Sequence, residues 1–281
     1  MNKLVLPAPA KLNLFLHING QRTNGYHELQ TIFQFIDYCD QLTFTPRKDS
    51  EVHLLTKMPG ISIKNNLIMR AAKLMQQHDR KRRGIDISVK KRIPLGCGLG
   101  GGSSNAATTL RALNHLWELQ MPLPQLLQLG IQLGADVPVF LFGKSCWAEG
   151  LGEQMTALEL PTPWFVVVVP PVHISTAEIF CDTQLNRSTA KTEISLSLLE
   201  TGENDCQAVT IRRHPEVAQA LNWLNQFSTA QMTGTGGSVF ARFDNREQAD
   251  EVVKQLPKTL KGFVAPGLNT SPLLTTLKIN R

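Results

Sequence analysis

The hydrophobic pattern changes period along the chain, and each period predicts an element. Residues 11–18 alternate strictly, with Leu12, Leu14, Leu16 and Ile18 on one side and Lys11, Asn13, Phe15 and His17 on the other. That is the two-residue repeat of a β-strand. Asn24-Gly25 is a turn dipeptide and residues 29–36 form a second apolar segment, so the two stretches read as a hairpin. Ile85, Ile87, Val89 and Ile93 make a third alternating stretch that runs into Pro94 and a glycine-dense loop. Beyond the loop, Ala106, Leu110, Leu113 and Trp117 recur at helical spacing, with Ser103 or Ser104 placed as the N-cap. A further helix over 124–133 ends at Gly134.

The pattern loosens over 149–163 into Gly, Glu, Thr and Pro, which places a domain boundary there and divides the chain into 1–160 and 161–281. Past it come a strand at 164–169, a helix at 215–227 and a strand at 238–243. A helix at 246–256, capped by Asp244 or Asn245, and a short strand at 263–265 follow. The Ser- and Thr-rich stretch 183–199 reads as a loop with helical tendency at its end. Strands interspersed with helices predict layered α+β or α/β architecture, and 281 residues suit two domains.

Composition narrows this only at the margins. Apolar residues make up 42% and charged residues 19%, enough to bury a core and to exclude a disordered chain. The 29 Lys and Arg against 23 Asp and Glu leave +6, which suits an anionic partner without naming it. The longest apolar runs, 137–142 and 164–169, fall far short of the roughly 18 residues a membrane helix needs, so no membrane partner is expected. Residues 4–6 are too short for the apolar core of a signal peptide before Lys11 interrupts them. Five cysteines with no C-x-x-C pair fit reduced thiols in a cytoplasm and no protein-built metal site. Arg80-Lys-Arg-Arg83, with Lys90, Lys91 and Arg92, lies in no recognised nucleic-acid module and reads as a solvated face.

The chemistry concentrates in the loop made of Pro94, Leu95, Gly96, Cys97, Gly98, Leu99, Gly100, Gly101, Gly102, Ser103 and Ser104, between a strand and a helix. Five of the seven positions 96–102 are glycine. Such density is entropically unfavourable unless the backbone must come close to something. Successive N–H groups and the positive end of the following helix would wrap a phosphate. The lysine of a Walker A loop is missing, because Gly102 stands in its place. Gly96, Gly98 and Gly101 match a dinucleotide fingerprint, but no second strand ending in an acid follows; the helix runs into Leu119-Gln-Met-Pro-Leu-Pro124.

The loop as a whole resembles the central motif of the GHMP kinases, the superfamily of galactokinase, homoserine kinase and mevalonate kinase. Pro9-Ala-Lys-Leu-Asn-Leu14, Gly25-Tyr-His27, Leu133-Gly-Ala-Asp-Val-Pro-Val139 and Thr233-Gly-Thr-Gly236 extend the resemblance over most of the chain. They narrow it to the branch acting on a cytidyl-linked methylerythritol in the non-mevalonate isoprenoid route. The resemblance implies an α+β, two-domain fold, ribosomal protein S5 domain 2-like over 1–160 and ferredoxin-like over 161–281. It implies ATP with Mg2+ as cofactor and a small-molecule acceptor, in a cytoplasmic monomer or homodimer. Cys97 departs from the small Gly or Ala that relatives carry there.

On residue type alone, Asp136 reads equally as a turn cap, and Lys11 as a solvated charge. The resemblance makes Asp136 the base that deprotonates the attacking hydroxyl and Lys11 its partner, with Asn13 lining the same site. It places Tyr26, His27 and Phe180 around the cytosine, Thr176 among the substrate-binding residues, Asn66 near the adenine, and 234–237 against the phosphate loop. Two other readings stay open: a homoserine- or mevalonate-type kinase, and an inert nucleotide- or RNA-binding protein on the same fold.

Overall fold

The computed structural model describes residues 3–23, 25–195 and 197–279, so Asn24 of the expected turn lies outside the described residues. Two long strands organise the first half: β1 (Leu4–Gln21) and β2 (His27–Pro46) pair antiparallel over their whole length. The chain continues through β3 (Val52–Leu54), α1 (Leu67–Gln77), β4 (Ile85–Lys90), α2 (Gly101–Leu116), α3 (Leu123–Leu133) and α4 (Val137–Phe142). Then follow β5 (Cys146–Gly150), β6 (Gln154–Ala157), β7 (Trp164–Val169), α5 (Thr176–Phe180), α6 (Leu198–Thr201), α7 (Gln207–Arg213) and α8 (Pro215–Leu224). The last elements are β8 (Ala230–Met232), β9 (Val239–Phe243), α9 (Arg246–Lys254), β10 (Lys261–Leu268) and α10 (Pro272–Ile279).

One edge of β2 carries β1, while its other edge is shared by β5 at 29–33, β10 at 35–36 and β4 at 41–46. β10 also pairs with β7, and β7 with β9, so hydrogen bonding is continuous across both halves. Apolar faces of α1, α2 and α3 cover the first sheet through Met75, Ala106, Leu110, Leu113 and Leu129. Helices α7, α8 and α9 cover β7–β9 through Val209, Leu221 and Val252. A third cluster, with Leu12, Phe15, Trp147, Phe165 and Phe240, joins the two and holds Cys97 and Leu99 of the glycine loop. No helix among the described residues is long and apolar enough to cross a membrane.

Several expectations change. The alternation in 11–18 does not separate core from solvent, because Lys11, Asn13 and Phe15 are as buried as Leu12 and Leu14. Both faces of β1 are covered, and shifts in register after Asn13 re-aim its side chains. Helix α2 begins before either serine: its N-cap is Gly100, left-handed at φ 72°, so Ser103 and Ser104 fall inside the first turn. Only glycine turns the chain so sharply at low strain, and that draws the helix start back into the loop. The loosened stretch 149–163 contains most of the β5–β6 hairpin, turned by Gly150 and Gly152 at positive φ. The basic run is not uniformly solvated, since Arg83 pairs with buried Asp79 and Lys91 with buried Asp40.

Candidate active site

The glycine loop is fixed before and after by a side chain that carries no motif. Asp40, fully buried in β2, accepts from the backbone N–H of Arg92 at 2.7 Å and of Ile93 at 2.9 Å, ahead of the loop. It also accepts from Asn105 Nδ2 at 2.8 Å, beyond the loop, and pairs with Lys91 Nζ at 2.5 Å. Four donors around one carboxylate satisfy a charge that would otherwise be very unfavourable to bury. Between these anchors Gly96, Gly98 and Gly100 all have positive φ, while Cys97 and Leu99 point into the core. Lys11 N donates to Leu99 O at 3.1 Å and Ser238 N to Cys97 O at 3.0 Å, which ties the loop to β1 and to the turn before β9.

A Cβ on Gly98 would stand 2.3 Å from the carbonyl oxygen of Thr233, and one on Gly100 2.7 Å from the Phe140 ring. The missing side chains let the loop close against its neighbours. The first N–H groups of α2 have no partner within the helix, and its positive end faces the same space. Burial pushes the Cys97 thiol up, so it stays protonated and acts as a small packing residue.

A cavity of about 820 Å³ opens over this loop, within the usual range for small-molecule sites. Its walls include 94–98 and 100–103, Lys11, Asn13, Asp136, Thr176, Phe180 and the turn 234–236. Lys11 is 2% exposed, and its ammonium donates to Asn13 Oδ1 at 2.5 Å and Gly98 O at 3.0 Å. Asp136 Oδ2 lies 3.5 Å from Lys11 Nζ, and this carboxylate is 40% exposed to the cavity mouth. Asn13 is itself held by Thr31 Oγ1 and Thr233 Oγ1, so the lysine is aimed by a fixed chain of contacts. Asp136 stands just before α4 yet makes no capping bond with its side chain. The cap reading therefore fails locally, and the carboxylate is available for chemistry.

At the far end Phe180 lines the cavity, and His27 stacks behind it with ring centroids 4.9 Å apart and planes 20° apart. Burial, then the Arg187 guanidinium, hold His27 below its ordinary pKa. Thr176 Oγ1 meets Thr235 Oγ1 at 3.1 Å across the cavity wall. Other expected site residues stand off the wall. Tyr26 is 59% exposed; Leu99 is buried behind the loop; Ser104 is buried with its Oγ lacking a hydrogen-bond partner. Asn66 caps α1, accepting from Ile68 N at 3.0 Å, and it is Leu67 that reaches the cavity. Asp40 and Arg187 were missed by sequence reasoning. Asp40 had one faint signal, an acid in an otherwise strand-forming stretch, whereas Arg187 sits in patternless chain.

Comparison with known proteins places the chain in a family. The family model described as GHMP kinases N terminal domain matches residues 66–144, and that described as GHMP kinases C terminal matches 189–262. The chain is 52% identical over 275 residues to the 4-diphosphocytidyl-2-C-methyl-D-erythritol kinase of Nitrosococcus oceani, covering 98% of each. The chain belongs to the GHMP kinases, in this branch of the family. The kinase of the same name from Pseudomonas syringae pv. syringae is 53% identical over 277 residues, covering 99% of this chain and 98% of that one. Among solved GHMP kinases, a crystal structure of 4-(cytidine 5'-diphospho)-2C-methyl-D-erythritol kinase superimposes with a TM-score of 0.81 at 29% identity, covering 94% of this chain and 99% of that one. The Methanococcus jannaschii mevalonate kinase reaches 0.69 at 18% identity, covering 95% and 99%, a likeness of fold. The α+β fold expected from the resemblance is thus the GHMP kinase fold.

Proposed function

We propose that this chain transfers the γ-phosphoryl group of ATP to the 2-hydroxyl of 4-diphosphocytidyl-2-C-methyl-D-erythritol, giving the 2-phosphate and ADP. The observation that carries the chemistry is the Lys11–Asp136 pair, 3.5 Å apart and opening into the cavity that the glycine loop floors. Asp136 takes the proton from the 2-hydroxyl as its oxygen attacks the γ-phosphorus. The bond to the β,γ-bridging oxygen breaks, and ADP leaves with that oxygen. Lys11 holds the carboxylate and stands where charge develops on the transferring group.

The loop N–H groups and the start of α2 hold the nucleotide phosphates, with residues 94–104 as the ATP segment and Asn66 seating Leu67 beside it. Among the described residues no group of three or more His, Cys, Asp or Glu could hold a metal ion. Mg2+ arriving with ATP would take most of its oxygens from phosphate and water, and it supplies neutralisation of phosphate charge. Asn13, Tyr26, His27, Thr176 and Phe180 serve the acceptor, with the cytosine against Phe180. We read residues 1–160 as the ATP-binding domain and 161–281 as the second domain, although Leu273 of α10 returns to the first core. The enzyme works in the cytoplasm on a small molecule, as monomer or homodimer, without nucleic acid.

The test is ADP release in a coupled assay with the cytidyl acceptor, mevalonate and homoserine in parallel. Turnover with the cytidyl acceptor alone is expected. Equal or greater turnover with mevalonate or homoserine would overturn the acceptor while leaving the phosphoryl chemistry in place.

A further inference from the structure

Behind the ring that lines the acceptor end of the cavity lies an arginine to which no role has been given. Arg187 Nε donates to His27 Nε2 at 3.0 Å. Its Nη2 donates to Phe180 O at 2.7 Å and Asp182 O at 2.8 Å, and its Nη1 to Leu185 O at 3.1 Å. Four contacts occupy one guanidinium, and three of them gather the carbonyl groups of the turn that follows α5. The fourth reaches a different element, the first residue of β2. Arg187 is therefore the link between the two rings that stack at 4.9 Å.

The His27 contact also has a chemical consequence. A guanidinium never accepts a hydrogen bond, so the imidazole nitrogen it touches must carry a lone pair. Nε2 is then unprotonated, and the neutral ring carries its proton on Nδ1. An imidazolium would set N–H against N–H and place two positive charges together.

We infer that Arg187 is a positioning residue for acceptor recognition, locking His27 in the neutral Nδ1–H form so that the imidazole backs the Phe180 ring and fixes the face it turns to the cavity. The inference rests on the cytidyl reading proposed above. Burial and the Arg187 charge both hold His27 below its ordinary pKa, in agreement with this form. Other charged groups nearby are already engaged: Glu28, next in β2, pairs with Arg22 at 3.1 Å and Lys191 at 3.9 Å. Asp182 pairs with Arg212 and Arg213. Gln21, opposite His27 on β1, and Phe180 on α5 are uncharged.

Nitrogen NMR of the imidazole, with His27→Gln to assign the signals, reads the inference directly. The wild type should show the Nδ1–H form and resist protonation well below the ordinary histidine value of 6.5. In Arg187→Met the titration should move up toward that value. The acid limb of kcat/KM for the cytidyl acceptor should move up with it. KM for the acceptor should rise about tenfold at pH 7.5, while KM for ATP changes less than about twofold. Arg187→Lys keeps the charge without the fork and should restore part of the titration shift. An Nε2–H form in the wild type, or an unchanged His27 titration in Arg187→Met, would overturn the inference. Should Arg187→Met fail to fold, the wild-type tautomer and titration still decide it. A wild type with the expected tautomer that ignores the cytidyl acceptor would overturn the substrate reading instead.

Discussion

The two ends of the cavity are built on opposite plans. On the reading proposed above, the donor end is made of backbone: left-handed glycines at 96, 98 and 100, the open N–H groups of α2, and one buried carboxylate, Asp40, that pins both flanks. The acceptor end is made of side chains drawn from distant segments: His27 from β2, Phe180 from α5, Arg187 from the loop beyond it, and Thr176 against Thr235. Phosphate is common to every nucleotide and needs only N–H groups and positive potential, which a backbone supplies. A particular base needs a face and an edge, which only particular side chains supply. The donor end should therefore fail when a side chain is added, and the acceptor end when one is removed.

Where the two ends meet, a single change should have the largest effect. Asp136→Asn keeps the shape and removes the base, so kcat should fall about 10²–10⁴-fold while ADP still binds. Steady-state kinetics with calorimetry checks both halves, and retention of more than about a tenth of kcat would remove Asp136 from the proton transfer. Next comes the donor end. Gly98→Ala puts a methyl group 2.3 Å from Thr233 O at φ 81°, so the loop must shift away from the 233–236 turn. Strain of roughly 1–3 kcal/mol at such a position should weaken ADP binding up to about a hundredfold, with cytidine diphosphate binding less affected. Equal losses for both ligands would break the division into two ends.

That division also explains what could be seen from sequence. Glycine density between a strand and a helix is a local signal, and so the tight glycine loop and α2 were legible from 96–102 alone. The β1–β2 pairing, helix α3 with its Gly134 stop, and α9 with its Asn245 cap were legible for the same reason. Asp40 and Arg187 act across 65 and 160 residues of sequence, to Asn105 and His27, and neither leaves a periodic trace. Lys11 was readable as a solvated charge because strand alternation cannot show that the second face of β1 is covered by the glycine loop. The start of α2 was misplaced by three or four residues because serine is the commoner cap, and the left-handed Gly100 overrode it.

Phe180→Ala tests the acceptor end. Removing the ring takes away a stacking surface of about 1–3 kcal/mol, so kcat/KM for the cytidyl acceptor should fall by about one to two powers of ten. The energy is gained far from the reacting hydroxyl, and part of the loss should therefore appear in kcat. KM for ATP should hardly move, and a matching rise in it would mean that Phe180 serves the whole cavity rather than one end.

The smallest effect is expected from Asn66, whose side chain is bonded within the protein rather than turned to the cavity. Its Oδ1 caps α1 through Ile68 N and its Nδ2 donates to Met58 Sδ at 3.2 Å, so the side chain is committed to the protein before any nucleotide arrives. What reaches the cavity is its neighbour Leu67, seated by that cap. Asn66→Ala should lower stability by about 1 kcal/mol, as loss of an N-cap does, and raise KM for ATP a few-fold through a displaced Leu67. Serine caps helices nearly as well as asparagine but is too short to extend beyond the cap. Asn66→Ser should therefore restore both the melting temperature and KM for ATP. If stability returned and KM for ATP stayed high, Asn66 would be touching the nucleotide itself, and the donor end would be less purely a backbone site than its glycines suggest.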